Sequence, residues 1–350
     1  MPYLKHAKYG KDKVRTFRIV RNKDGTHDIA EYIVQALLEG SVCSRSCLPH
    51  HDIETSYTKS DNSVIVATDS IKNTTYLFAK QSPHVLQPES FALDLASHFV
   101  ETYSHIHKAH VNVIQLKWSR IPVTGKAHKH SFVRNGDEKR FTNVTVDATK
   151  GKNAATATVT SGISELLVLK TTESSFENYV FDKYTTLKRK SATLRVSKPG
   201  ARFFYSRRGS SSLSLPSTAV DDRIFSTSVD CSYSITIPTS ALTSASIPKL
   251  GIDFERIFKS VETTTLEIFA THNSASVQAT LYQMCEKILA DNKQVAEVSY
   301  KLPNKHYFAV DMAYFGLKNT DPKDAEVFMP VDAPSGLIIA TVTRDATSKL

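Results

Sequence analysis

Val14–Val20 and His27–Leu38 are rich in β-branched and apolar residues, which predicts two strands, and Asp24-Gly25 between them is a hairpin turn signal. The pattern then becomes helical. Asp69–Lys80 can form a helix with Asp69 or Thr68 as its N-cap. Pro88-Glu89-Ser90 opens a second helix, because proline suits the first helical position. There Phe91, Leu95 and Phe99 recur every four residues, and Ala92, Ala96 and Val100 widen the apolar face. Strands return at His110–Trp118 and His128–Val133, around a turn at Gly125.

The second half repeats the order. Leu166–Lys170 and Ile224–Ile237 read as strands. Ile252–Ala270 is an amphipathic helix through Phe254, Phe258, Val261 and Phe269. Asn273-Ser274 can cap another, with an apolar stripe of Val277, Leu281, Met284 and Ile288. Val295–Tyr300, His306–Ala313 and Leu337–Thr343 read as strands. A ββααββ pattern thus appears twice, over 1–150 and 151–350. Hairpins flanking paired helices predict an α+β protein with antiparallel sheet and helices on one face.

Two segments interrupt this order: 41–51, and the basic, serine-rich 189–218. The second has the composition of a loop, and about thirty structureless residues are unusual inside a compact domain. The formal charge of +9 also changes meaning once it is located. Lys188, Arg189, Lys190, Arg195, Lys198, Arg202, Arg207 and Arg208 fall in a stretch without Asp or Glu, and Arg45 lies in the other segment. The rest of the chain is neutral, so the basicity is local and no general nucleic-acid surface is expected. No apolar run approaches the ~18 residues of a membrane span. The start lacks an apolar secretory region, and four cysteines in 350 residues read as free thiols. No two glycines stand two apart, which excludes a G-x-G dinucleotide loop and a P-loop. Cys43, Cys47, His50 and His51 could ligate zinc, as could His128 with His130; both are read instead as non-metal sites, and no metal is expected.

Several strings, taken together and in order, resemble the urate oxidase family, with fungal members nearest. They are Tyr9-Gly10-Lys11-Asp12, 54–58, 66–74, His128-Lys129-His130-Ser131-Phe132, 168–176, 222–227, Ser276-Val277-Gln278-Ala279-Thr280 and 302–308. The resemblance implies two tandem ββααββ tunnelling-fold domains, with four chains stacked into a barrel and active sites at subunit interfaces. It implies cofactor-free oxidation of urate by O2 and water to 5-hydroxyisourate and H2O2, in purine catabolism. Ser348-Lys349-Leu350 matches a peroxisomal address read by an import receptor. Neither nucleic acid nor membrane is an expected partner.

Urate is flat, electron-rich and edged with donors and acceptors. The resemblance assigns a planar fork to Arg223, an amide that donates and accepts to Gln278, and a stacking face to Phe176. Backbone amides of Asp69 and Val277 add donors, and Leu187 packs nearby. Lys11, Thr68 and His306 correspond to a proton relay, with Asn304 and Thr68 holding O2 or water above the ring. Taken singly these residues read differently: His306 as a structural strand histidine, Gln278, Arg223 and Lys11 as solvated side chains, Phe176 as core.

The chain also departs from the family. Leu187 and Arg223 stand 36 apart, where about six is usual, and the family runs from Glu39-Gly40 almost directly into Asp52-Ile53-Glu54-Thr55. Segments 41–51 and 189–218 are therefore read as insertions, the in-frame translation of retained introns. A homologue impaired by the insertion before Arg223 is the alternative reading. A module binding polyanions through the basic segment and its Phe203, Phe204 and Tyr205, and another purine- or pterin-handling enzyme of the same fold, are more distant ones.

Overall fold

The computed structural model describes residues 3–40, 53–177, 179–185, 219–220, 223–238 and 242–344. Segments 41–51 and 189–218, Leu187 and the Ser348-Lys349-Leu350 tripeptide lie outside these residues.

Strands β1 (Tyr9–Arg21) and β2 (His27–Gly40) form the expected hairpin. Asp24 Oδ1 accepts from both the N–H and the hydroxyl of Thr26, and Gly25 takes the left-handed φ of +79° that the turn requires. The short α1 (Glu54–Thr58) leads to α2 (Thr68–Gln81) and α3 (Pro88–Thr102). Strands β3 (Ile106–Val123) and β4 (Lys126–Asp147) close the first half through a turn in which Thr124 and Gly125 both have positive φ, as a tight hairpin demands. The second half contains β5 (Thr156–Lys170), the two-residue β6 (Phe176–Glu177) and β7 (Ala219–Val220), and β8 (Phe225–Ile237). It continues with α4 (Phe254–Thr271), α5 (Val277–Asp291), β9 (Glu297–Ala309) and β10 (Phe328–Thr343).

The halves meet edge to edge where β4 pairs with β5. One eight-stranded antiparallel sheet results, in the order β1-β2-β3-β4-β5-β8-β9-β10. Alternation sets its faces. Tyr32, Val34, Ala36 and Leu38 of β2 and Val229, Cys231, Tyr233 and Ile235 of β8 are buried in one core with Phe91, Leu95, Phe99, Val261, Leu281 and Ile288 from the helices. The opposite face and the outer strand leave large apolar side chains in solvent, among them Phe17, Leu167, Leu169, Leu337 and Ile339.

The first strand of each half carries the same irregularity. Gly10 lies where a Cβ would sit 1.9 Å from the carbonyl oxygen of Ala36, and Gly162 stands in the same relation to that of Cys231. Three residues on, Lys13 and Glu165 have φ of 56° and 61°. The register shifts between Lys11 and Val14 in one strand and between Ile163 and Leu166 in the other. The same β-bulge therefore recurs 152 residues apart in the chain. At matching positions it presents Lys11 in one half and the buried Ile163 in the other.

Charge fastens the halves together beneath the sheet. The Arg140 side chain is 5% exposed. It donates to the fully buried Glu89 of α3 at 2.9 Å and to Glu255 of α4 at 2.6 Å, with Phe258 of α4 against its guanidinium face. Lys117 bridges Glu138 and Glu262, one α4 face further along.

The structure corrects several expectations. Ala67 occupies the N-cap position of α2, so Thr68 and Asp69 are helical and leave their side chains free of capping. Ser276 stands at the start of α5, because Ser274 is drawn into a bridge with Ser174. Strands β3 and β4 extend well beyond the expected bounds. Residues 119–123 of β3 and 134–137 of β4 are largely solvated and carry no alternation to read, whereas 140–147 of β4 alternates, with Arg140, Thr142, Val144 and Val146 buried. Runs 295–300 and 306–313 form a single strand, β9, through Pro303; the residues after Ala309 leave it and turn at Ala313–Phe315. Proline is tolerated there because the pairing with β8 is interrupted at that point.

Replacing Arg140 by Met should strand Glu89 as an unpaired buried carboxylate and lower stability by about 3–5 kcal/mol, read as a fall in the urea midpoint. Glu255→Gln, at a half-exposed carboxylate, should shift the midpoint much less.

Candidate active site

The sheet brings the candidate residues together in two groups. The first stands on β1 and α2. Lys11 is at the β1 bulge, paired with Ala36. The hydroxyl of the half-buried Tyr9 accepts the N–H of Val66 at 2.9 Å, and this draws the start of α2 onto β1. Burial raises the pKa of Tyr9, so it remains a neutral phenol. Thr68 and Asp69 are the first two residues of α2. The exposed Asp69 carboxylate accepts from Lys72 at 2.6 Å and Asn73 at 3.0 Å, and the Lys72 hydrogen bond is the main cause of its lowered pKa. Lys11 is near enough for its charge to add to that effect.

The second group stands at the far end of the sheet, around a knot of backbone hydrogen bonds. Ser274 N–H donates to Glu173 C=O at 2.9 Å, and Ser175 N–H donates to Ser274 C=O at 2.8 Å. Arg223 N–H donates to Ser174 C=O at 2.9 Å. Three chain segments are tied at one point, and each leads directly to a candidate residue. Phe176 follows in β6, Arg223 leads into β8, and Val277 and Gln278 open α5. The Arg223 guanidinium lies 5.8 Å from the centroid of the Phe176 ring, and burial lowers its pKa. Tyr179 stacks parallel on Phe176 at 4.8 Å. Gln278 Oε1 accepts from Ser276 Oγ at 2.9 Å.

Asn304 and His306 complete this group from β9. They continue the row Val298, Tyr300, Leu302 that faces the core, and Asn304 is buried opposite Thr227 of β8. Lys305 pairs with Ser226, three residues past Arg223, so this end of β9 meets the clamp segment.

The structure thus unites Phe176, Arg223, Val277, Gln278, Asn304 and His306, and separately Lys11, Thr68 and Asp69. It does not unite the two groups within one chain. From β1 to β9 there are six inter-strand steps, about 29 Å along a sheet with strands ~4.8 Å apart. Two clefts on the helix side, of about 340 Å³ between α2, α3 and Thr243 and about 380 Å³ between β1 and α2, contain none of the nine residues. His128 and His130 contact one another edge-to-face, and among the described residues no group of three His, Cys, Asp or Glu is placed to hold a metal. Sequence reasoning missed Tyr9, Tyr179 and the Ser174–Ser274 bridge. All three lie in or beside the strings that carried the resemblance, but only tertiary pairing shows what they do.

An antiparallel sheet built from two ββααββ halves, with paired helices over one face, is the α+β tunnelling fold. A family model described as uricase matches residues 7–145 and 215–339. Uricases of Aspergillus flavus and Emericella nidulans are each 42% identical to the chain, over 99% and 98% of its length and 98% of theirs. The crystal structure of uricase from Arthrobacter globiformis superposes with a TM-score of 0.76 at 29% identity, covering 99% of this chain and 96% of that one. The chain belongs to the uricase family.

Gly10→Ala must push β1 off β2 beside Lys11, since the new Cβ would meet a backbone oxygen. A displacement of ~1 Å should lower turnover about 100-fold, against at most a small change for Gly25→Ala, a left-handed turn residue remote from both groups. Steady-state rates of the two purified variants test this.

Proposed function

We propose that the chain oxidises urate with O2 and water to 5-hydroxyisourate and H2O2, without a cofactor. The observation that carries this reading is the backbone knot at Ser174–Ser274. It gathers a guanidinium, an aromatic ring and a carboxamide at one point in a chain of the uricase family.

Arg223 supplies a planar fork to a carbonyl and ring nitrogen of urate, Gln278 reads the opposite edge, and Phe176 covers a face. The N–H groups of Asp69 and Val277 are the other donors. Both belong to the first turn of a helix, where backbone N–H groups have no acceptor within the helix and the dipole favours an anion. A urate anion is the species that can release electrons to O2. Lys11, Thr68 and His306 form the proton relay, Thr68 being activated by the amine and His306 holding or passing the proton. Asn304 and Thr68 hold O2 or water over the ring. Two electrons leave the purine, water adds at the oxidised carbon, and O2 takes the electrons with two protons to become H2O2.

Because the two groups occupy opposite ends of the sheet, a complete site needs Lys11, Thr68 and Asp69 from one chain and the clamp from another. The exposed apolar side chains on the face without helices, and the outer edges of β1 and β10, which pair with no other strand among the described residues, support assembly with further copies into a homotetramer. We place the enzyme in the peroxisome, addressed by Ser348, Lys349 and Leu350 through the import receptor; an H2O2-producing oxidase suits that compartment. Segments 41–51 and 189–218 remain insertions in this reading; 189–214 falls between the two stretches that the family model matches, and 41–51 lies within the first.

Purified, chelator-treated protein mixed with urate under air should lose urate absorbance while producing H2O2. No turnover would overturn the reading in favour of an impaired homologue. Shared sites predict complementation: Lys11→Met and Arg223→Gln chains, each inactive alone, should recover about a quarter of wild-type activity when co-expressed, from random isologous pairing. Mixtures that stay inactive would show that each site is built within one chain.

A further inference from the structure

Behind the clamp runs a chain of side-chain hydrogen bonds that the proposed chemistry does not use. The Gln283 amide donates to His272 Nε2 at 3.0 Å. With that nitrogen accepting, the ring proton is on Nδ1, which donates to Thr280 Oγ1 at 2.9 Å. Thr280 Oγ1 in turn donates to Ser274 Oγ at 2.8 Å. Ser274 is the residue whose backbone ties segment 173–175 to the start of α5. Burial, with the neighbouring Lys170, lowers the pKa of His272, which keeps the ring neutral and Nε2 able to accept. Lys170 Nζ also donates to His272 C=O at 2.6 Å, anchoring the turn between α4 and α5 to the end of β5.

Thr280 and Ser274 are fully buried, whereas His272 is half-buried. The sequence runs from the surface at Gln283 to the knot that sets Phe176, Arg223 and Gln278. Thr280 stands one turn into α5, two residues past Gln278, so its hydroxyl fixes the rotation of the helix start relative to Ser274. None of these four side chains is among those assigned to the substrate or the proton relay.

We propose that Thr280 and His272 are positioning residues of the urate clamp: they hold the start of α5 against the 173–176 strand, so that Gln278 meets the edge of the purine opposite Arg223. This rests on the proposed function for its substrate, though not for its geometry.

The test uses the full-length assembled protein with Thr280→Val, Thr280→Ser and His272→Ala. Urate KM and kcat are measured beside hydrogen exchange at the amides of Ser175, Arg223 and Ser274. Thr280→Val should raise KM about tenfold with little change in kcat, the signature of lost ground-state binding, and should speed exchange at those three amides. Thr280→Ser should restore both. Should Thr280→Val fail to fold, His272→Ala carries the same expectations at a half-buried site. An unchanged KM overturns the proposal, even where exchange quickens or melting falls, because the network would then be purely structural. If wild-type protein does not oxidise urate, the functional reading fails. The exchange data then decide the positioning alone, and unchanged exchange refutes it.

Discussion

A sheet that is hydrogen-bonded throughout its interior but open along both outer strands constrains everything else in this molecule. Pairing of β4 with β5 makes two ββααββ halves into one surface, so neither half ends at its partner. The helices all lie on one face because only that face has a continuous apolar row to cover. Among the described residues this leaves two long edges without a partner strand and a second face with apolar side chains in water, features that association relieves. The same constraint sends Lys11 to one edge and His306 close to the other. A site that requires both is for that reason a property of more than one chain.

Within that frame, side-chain charge and backbone pairing do different work. Arg140, with Glu89 and Glu255, and Lys117, with Glu262, fasten α4 of the second half to strands of the first. These bonds specify how the halves sit, and the buried carboxylate makes any other arrangement expensive. The segments that carry Phe176, Arg223 and Gln278 are joined first by backbone atoms. Amide-to-carbonyl bonds at Glu173, Ser174, Ser175, Ser274 and Arg223 depend little on side-chain identity. They hold three separate segments in register where a rotamer change alone would move a side chain by more than the tolerance of catalysis.

The long elements were legible in the sequence because their periodicity is strong. Phe91, Leu95 and Phe99 of α3, and Val277, Leu281, Met284 and Ile288 of α5, are buried as their spacing predicts. Legibility failed where tertiary pairing overrides local signals. Asn273-Ser274 has the look of a helix cap, yet Ser274 is taken by Ser174, and Ser276 stands at the helix start instead. The run 134–137 of β4 is polar and exposed, so no alternation marks it as strand. Individual site residues were legible only through the strings around them. No spacing rule links Phe176, Arg223 and Gln278, which the backbone knot joins from three distant parts of the chain. The bulge repeated at Gly10 and Gly162 was invisible for another reason: its cause is the close approach of a carbonyl oxygen, which no local composition records.

The repeated bulge presents different side chains in the two halves. The backbone solution is the same, with glycine against a carbonyl and a left-handed residue three positions on, but the side chain after the glycine is Lys11 in one case and the buried Ile163 in the other. A lysine at the edge strand stands beside the start of α2, where it adds positive charge to unpaired helix amides. Asp69 puts an acidic side chain at the same helix start. Its carboxylate, however, is bound to Lys72 and Asn73 one turn further along the helix, so its charge is drawn down the axis while its N–H points the other way. Asp69 thus offers a backbone donor at the helix start, while its exposed carboxylate is held by Lys72 and Asn73.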